Sequence, residues 1–285
     1  MMERGHSKLE LLSTGFTTQP EHLVLRTPTL ARMRFPALVA LLMHEKHGPI
    51  LYDTGYSPRF YEATRPFPER LYAWATPVRP DPTRSAVAQL ERRGIRKKDV
   101  EWIFVSHFHA DHVAGLADFP SAKYIYFRHA LEGFLPLGRF AGTTAAFLRG
   151  LLPSNLEERS RCLDLAHEAV PLPPECMPFV CGVDIFGDGA MFAVELPGHT
   201  DGQLGLFVRR ENGSLDFLIG DACWTSRTFR ERRLPHPVAK LLFSNWDAYA
   251  DTVERIADLH ERVPDLRILP SHCDEVRARY VADIP

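Results

Sequence analysis

Ser106-His107-Phe108-His109-Ala110-Asp111-His112 packs three histidines and an aspartate into positions 107–112. It follows directly on the apolar, β-prone run Val100-Glu101-Trp102-Ile103-Phe104-Val105, which reads as a buried strand. Val113-Ala114-Gly115-Leu116 comes next and can open a helix. Side chains two apart in an extended segment lie on one side, so His107 and His109 can grip one metal. The turn that follows can swing Asp111 and His112 towards a second. Imidazole nitrogens with a carboxylate form a ligand set for zinc, with iron and manganese as alternatives. The competing interpretation is a solvated polar turn at the end of a strand.

Further out, other strand-like runs end in the same way. Ile50-Leu51-Tyr52 ends in Asp53-Thr54-Gly55, and the run 191–196 in Pro197-Gly198-His199. Phe217-Leu218-Ile219 ends in Gly220-Asp221, and 266–269 in Pro270-Ser271-His272. Polar groups at the ends of several strands are how a rigid sheet scaffold assembles a site on loops. Any one of His199, Asp221 and His272 alone would pass for a turn residue. With 107–112 they make a set of seven ligands: His107, His109, Asp111, His112, His199, Asp221 and His272.

The chain has 285 residues, 45% of them hydrophobic, enough to bury a sizeable core. Its formal net charge of −2 gives no general argument for a nucleic-acid or membrane partner. Residues 1–8 are polar with no apolar segment behind them, and the longest apolar run, Ala37 to Met43, is too short to span a bilayer. Five irregularly spaced cysteines form neither a disulfide framework nor a C-x-x-C pair, so a reduced, cytoplasmic protein is expected.

Other elements are read as follows. Residues 8–30 suggest edge strands joined by a turn at Gly15, and residues 38–43 a stronger strand hairpinned through His47-Gly48-Pro49 to 50–52. Residues 56–82 look irregular and aromatic-rich, with Tyr56, Phe60, Tyr61, Phe67, Tyr72 and Trp74. Thr83 is placed to cap a helix over 85–93 that stops at Gly94. Strands are expected at 124–127, 183–186, 204–208 and 217–219, and a helix at 246–262. Residues 129–175 read as a helical insertion within a single domain spanning 1–285, with 145–152 and 156–167 as its better helices.

H-x-H-x-D-H, then G-H, G-D and S-H in this order resembles the metallo-β-lactamase superfamily of metal-dependent hydrolases, over a span from about Asp53 to Cys273. The resemblance implies an α/β fold, a four-layer αββα sandwich, with the site at one edge between the sheets. By position, His107, His109 and His199 would hold one divalent ion and Asp111, His112 and His272 another, with Asp221 bridging. Zinc is the expected ion. Asp53 matches a motif whose carboxylate orients a ligating imidazole. The implied activity is attack on a carboxylic ester or lactone by a hydroxide between two metals, with Asp111 handing a proton to the leaving group.

Within the superfamily the wording F-H-A-D-H, the aromatic segment before it and the late His272 resemble the acyl-homoserine lactonases. Those carry a tyrosine three positions after the bridging aspartate, supporting the substrate carbonyl; here that position is Trp224, whose indole N–H donates but cannot exchange a proton. A thioester hydrolase of the glyoxalase II type, a one-iron persulfide dioxygenase and a non-catalytic ligand-binding relative share parts of the pattern. The expected partner is a small-molecule acyl substrate, walled by the aromatics of 56–74 with Phe134, Phe140 and Phe147, its polar end within reach of Arg227 or Arg230. Cys223 and Cys273 read as packing beside the ligands, and a homodimer stays open.

Overall fold

The structure is a computed structural model and describes residues 5–78 and 81–281, so residues 1–4 of the polar N-terminus and 79–80 of the aromatic-rich stretch lie outside it. The described residues form two six-stranded sheets. The first runs β1 (Ser7–Pro20), β2 (Arg32–His44), β3 (Gly48–Tyr52), β4 (Trp102–Phe104), β5 (Lys123–Phe127) and β6 (Ser160–Leu163) in spatial order. Strands β1 to β3 pair antiparallel, and β3 to β6 pair parallel. The second sheet takes β7 (Val170–Pro171), β8 (Cys181–Asp184), β9 (Met191–Glu195), β10 (Leu204–Arg209), β11 (Leu215–Gly220) and β12 (Arg267–Pro270). It is antiparallel except between β11 and β12.

Three apolar clusters make this a four-layer αββα arrangement. Successive residues of a strand point to opposite faces, so β2 sends Leu38, Ala40 and Leu42 to the middle layer and Val39 and Leu41 outwards. In the second sheet Leu206, Val208 and Leu218 meet that middle layer. Phe207, Phe217 and Ile219 point the other way, against the Trp246–Arg262 helix through Tyr249, Val253 and Ile256. The helix Ala86–Arg92 covers the first sheet's outer face through Leu90. Burial on both faces explains why these strands read as continuous apolar runs.

Several expectations are corrected here. Gly15 makes no turn: β1 runs through it, with a bulge between Ser13 and Gly15. The helix at 86–92 is capped by Ser85, whose hydroxyl accepts from Ala88 N, and not by Thr83. Residues 56–82 carry two short helices, Pro58–Ala63 and Arg70–Ala75. Residues 129–175 do not form a run of helix. They hold the helices His129–Glu132, Arg139–Thr144 and Leu165–Glu168, 3₁₀ turns at 149–151, 157–159 and 174–176, and the strands β6 and β7, which extend both sheets. Parallel pairing with β5 claims 160–163 for the sheet, against its helix-like local composition.

The sheets are sutured at the end where the polar loops emerge. Tyr52 Oη donates to Leu204 O (2.6 Å), Leu204 N to Ser106 O (2.8 Å) and Leu38 N to Ser271 O (3.0 Å). Ser271 N donates to Gly220 O (3.1 Å), tying the Asp221 loop to the His272 loop.

Candidate metal centre

Loops after β3, β4, β9, β11 and β12 converge on one spot, and all seven side chains singled out above come together there. The motif after β4 enters extended and turns into the short helix Ala110–Val113 at His109, so Asp111 and His112 belong to its first turn. His199 is delivered by Gly198, whose φ of +124° and packing leave no room for a side chain: a Cβ would stand 2.2 Å from Tyr249 N. Gly220, at φ +53°, bends the chain out of β11 and aims Asp221 at the same point.

His107 Nε2 lies 3.0 Å from His109 Nδ1, which lies 3.1 Å from His199 Nε2. Tetrahedral nitrogens at about 2.05 Å from a zinc ion stand about 3.3 Å apart, so this triad has the dimensions of a ligand set. Asp111, His112 and His272 form a second group, and His107, His112 and Asp221 a third, with one ligand atom of each residue within 4.8 Å of the others. The two oxygens of Asp221 face different halves. Oδ1 lies 3.1 Å from His272 Nε2 and 3.4 Å from His112 Nε2, while Oδ2 lies 3.3 Å from His199 Nε2. His112 Nε2 and Asp221 Oδ1 are buried without a hydrogen-bond partner, as lone pairs kept for an ion would be.

The far side of the rings fixes which nitrogen is bare. A backbone carbonyl can only accept, so His272 Nδ1, 2.6 Å from Pro36 O, carries the proton and leaves Nε2 facing the centre. Asp53 does the same for His112, with Oδ2 2.8 Å from Nδ1. The same carboxylate accepts from Ser106 N (2.8 Å) and Ser106 Oγ (2.7 Å), and Ser106 Oγ in turn lies 3.0 Å from His107 Nδ1. Asp53 sits at φ +62°, a left-handed conformation that its three contacts hold in place. Ser106 and Pro36 are contributors the sequence reading missed, and Pro36 could not have been found, because it acts through its carbonyl alone.

Burial pushes His109 down to about 4 and His107 and His199 well below the ordinary imidazole range, keeping all three neutral and ready to ligate. Burial also opposes charge on His112 and His272, but the Asp221 carboxylate, helped by Asp111 and for His112 by Asp53, outweighs it and raises both. Asp221 is held well below the usual carboxylate range: His272 and His112 overcome its own burial.

The centre forms the floor of a cavity of about 820 Å³. Its walls come from Leu71, Tyr72 and Ala75, from Phe134 and Leu137, from Val238, Leu242 and Phe243, and from Gln19, Leu23, Val24 and Phe35 between β1 and β2. Phe35 stacks on His272 at 4.2 Å and Phe243 meets His199 edge-on at 5.1 Å, two contacts no motif announced. Of the expected aromatic wall only Tyr72 and Phe134 line the cavity. Phe147 backs Phe134 at 4.9 Å, Tyr56 and Phe60 are core, and Phe67, Trp74 and Phe140 are exposed.

Among the described residues no lysine or arginine lines the cavity. Arg227 is paired with Glu231 and Glu21, and Arg230 with Glu275, which corrects the expectation that they reach the substrate. Trp224 lines the wall, and its one N–H donates to Asp221 Oδ2 at 3.2 Å, where the sequence leads one to expect it aimed at a substrate carbonyl. Cys223 and Cys273 are buried free thiols outside the cavity wall. No helix of the described residues is long and apolar enough to cross a membrane.

The family described as the metallo-beta-lactamase superfamily matches residues 35–272. The probable metallo-hydrolase Mb2322c of Mycobacterium bovis is 31% identical over 250 residues, covering 81% of this chain and 73% of its own. The N-acyl homoserine lactonase AttM of Rhizobium radiobacter is 27% identical over 160 residues, 54% of this chain and 53% of its own. A solved N-acyl homoserine lactone hydrolase, with the product N-hexanoyl-L-homoserine at its catalytic metal centre, superposes with a TM-score of 0.70 at 18% identity, over 99% of this chain and 98% of that one. A probable metal-dependent hydrolase from Staphylococcus aureus gives 0.69 at 13% identity, over 95% and 91%.

Proposed function

Because the chain belongs to the metallo-beta-lactamase superfamily, we propose that it is a metal-dependent hydrolase of uncharged acyl esters and lactones, working with two divalent ions, zinc in the first instance. The observation that carries the substrate class is the cavity: an apolar volume of about 820 Å³ lies over the histidine–aspartate floor, with no cationic side chain among its described lining residues. An acyl group gains from burying apolar surface there, whereas an anionic end would lose its water without gaining a partner. That counts against the glutathione-type thioesters a glyoxalase II takes and against phosphodiesters.

His107, His109 and His199 would hold one ion, Asp111, His112 and His272 the other, and Asp221 would offer one oxygen to each. The second triad speaks against a one-iron dioxygenase. When bound, a pair of divalent ions supplies a hydroxide nucleophile near neutral pH and polarises the carbonyl. The residues do the rest. Asp53, Ser106 and the Pro36 carbonyl lock the imidazoles in one tautomer. Asp111, whose carboxylate side chain is 14% exposed and lines the cavity, receives the proton given up by the attacking water and returns it to the leaving oxygen. The apolar wall excludes competing water.

A panel of lactones, aryl esters, acyl thioesters and phosphodiesters, run on the zinc-loaded protein, tests the proposal. Medium-chain esters and lactones should be cleaved fastest. Faster phosphodiester or anionic-thioester cleavage would overturn it, and loss of all turnover in the metal-loaded protein would favour a binding role.

A further inference from the structure

Residues 32–39 of β2 lie outside its pairing with β3 and run with β1 as a two-stranded ribbon. Phe35 and Pro36 bring that ribbon onto His272, by a stacked ring and a carbonyl contact. Residues directly opposite on antiparallel strands share a face, and the register sets Thr17 against Phe35 and Gln19 against Met33. That face is turned to the cavity. Phe35 and Gln19 line it, and Met33 packs with the apolar cluster that holds Phe35 and Trp224. The opposite face takes the charge: Arg32 donates to the Thr18 hydroxyl at 3.0 and 3.1 Å, and the Arg34 guanidinium lies 3.9 Å from the centre of the Phe16 ring. The alternation keeps both arginines out of the cavity and leaves Gln19 a polar group beside Met33 and Phe35.

On the same face Thr17 donates its hydroxyl to Pro77 O at 3.0 Å. Elsewhere on the walls Thr76, Thr143 and Thr144 donate to carbonyls of their own helical turns, and Ser244 to Asp201. The Gln19 carboxamide, the only one among the described lining residues, has no hydrogen-bond partner among the described residues. Half-buried, it reaches solvent through the open cavity. An acyl chain that fills the cavity takes this solvent away, and an amide left unpaired then opposes binding. A chain that brings its own hydrogen-bonding group restores the bond. Gln19 is one diagonal step from Phe35, about 7–8 Å across such a ribbon, and the Phe35 ring lies 4.2 Å from that of His272. A group that meets Gln19 therefore stands several bonds from a carbonyl held at the floor.

Resting on the hydrolase reading above, we propose that Gln19 is a specificity residue, selecting acyl substrates that carry an uncharged oxygen, keto or hydroxyl, partway along the chain. The carboxamide suits both groups. Its NH₂ donates to a keto or hydroxyl oxygen, and its Oε1 accepts from a hydroxyl. A neutral reader also matches a cavity whose described lining holds no lysine or arginine. Plain chains gain only from the apolar walls, whereas an oxygenated chain gains from the walls and spares Gln19 its loss of solvent.

The test compares aryl esters of equal chain length, plain or bearing one keto or hydroxyl group at successive positions. They are run on the zinc-loaded wild type, Gln19→Leu and Gln19→Glu, with metal content and circular dichroism matched. In the wild type the best oxygenated chain should exceed the plain one in kcat/KM by about threefold to tenfold, chiefly through KM. Gln19→Leu should abolish that preference. Gln19→Glu, which at neutral pH accepts but no longer donates, should keep the preference for hydroxyl and lose that for keto. A wild type that favours no oxygenated chain, or a preference that survives in Gln19→Leu, overturns the assignment, as does a variant that shifts all chains alike. If the wild type cleaves no ester, the hydrolase reading falls by itself. Calorimetric titration with the matching N-methyl amides, plain and oxygenated, then decides the role of Gln19 by the same ratios.

Discussion

Exchanging Asp53 for asparagine tests whether the centre is tuned from outside its ligands. The substitution keeps the shape and the tolerance for the left-handed φ of +62°, but turns one of two acceptor oxygens into a donor. Asp53 now accepts from three groups: Ser106 N at 2.8 Å, Ser106 Oγ at 2.7 Å and His112 Nδ1 at 2.8 Å. Ser106 N is a backbone donor and cannot adapt, so the amide oxygen turns to it and the NH₂ group faces His112 Nδ1. Two donors would then collide unless His112 moves its proton to Nε2. That is the nitrogen facing Asp221 Oδ1 and the ion, and once protonated it cannot ligate.

The magnitude follows from either end. Losing a hydrogen bond to a charged group costs about 1.5–3 kcal/mol, and removing such an outer partner typically costs about 10- to 100-fold in metal affinity, or about 1.4–2.7 kcal/mol. The two ranges agree. Competition titration of Asp53→Asn against a chelator should therefore show one ion, that held by Asp111, His112 and His272, weakened about 10- to 100-fold. The ion on His107, His109 and His199 should change much less. Equal weakening of both ions, or affinities within twofold of the wild type, would refute the tautomer argument.

Asp221→Ala and His109→Ala should each abolish ester hydrolysis while leaving circular dichroism intact, because none of the three apolar clusters draws on either side chain; near wild-type turnover at full metal loading would dissolve the site. Acidification should strip the ions in order. Protons compete for a ligand as pH falls through its pKa, and His112 and His272 lie above the ordinary imidazole value while His109 lies at about 4. The ion on Asp111, His112 and His272 should thus leave first and the three-histidine ion persist to lower pH, as cobalt-substituted spectra would report; the reverse order would contradict the charge assignment. Gly198→Ala forces a Cβ to within 2.2 Å of Tyr249 N and should cost about 1–3 kcal/mol in urea unfolding, with His199 displaced and metal retention reduced; unchanged stability would mean that the loop can shift freely.

The seven candidate ligands were legible because each lies just past an apolar strand that announces its own end. Val105 gives way to Ser106-His107, Ile219 to Gly220-Asp221, and Leu269 to Pro270-Ser271-His272. Burial on both faces makes such runs conspicuous, and the sharp change to polar residues marks the loop. What escaped were elements too short to show a period. Arg70–Ala75 is six residues long, and Leu71, Tyr72 and Trp74 fit no helical or alternating template over that length. Strand β6 is Ser-Arg-Cys-Leu, with only Leu163 fully buried, and becomes a strand through its partner β5. The partner of Trp224 was hidden for another reason: only the three-dimensional path of the loop shows that its N–H turns back to Asp221.

The same division separates chemistry from specificity. The floor is built from strand ends and sutured by backbone bonds, Leu204 N to Ser106 O and Ser271 N to Gly220 O, which do not depend on side-chain identity. Side chains there face one another and the proposed ions, so the floor can stay the same while the substrate varies. Most of the walls come from 71–76, 133–146 and 238–244, short helices and turns, joined by Gln19 and Phe35 of the first sheet and Leu23 and Val24 of the helix between them. Val238, Leu241 and Leu242 are even largely exposed at the rim, free of any core they must fill. On the proposed hydrolase function, substrate choice would then lie largely where the sequence is least patterned. Exchanging wall residues such as Leu71, Phe134 or Leu242 should redistribute activity among acyl groups without loosening the ions.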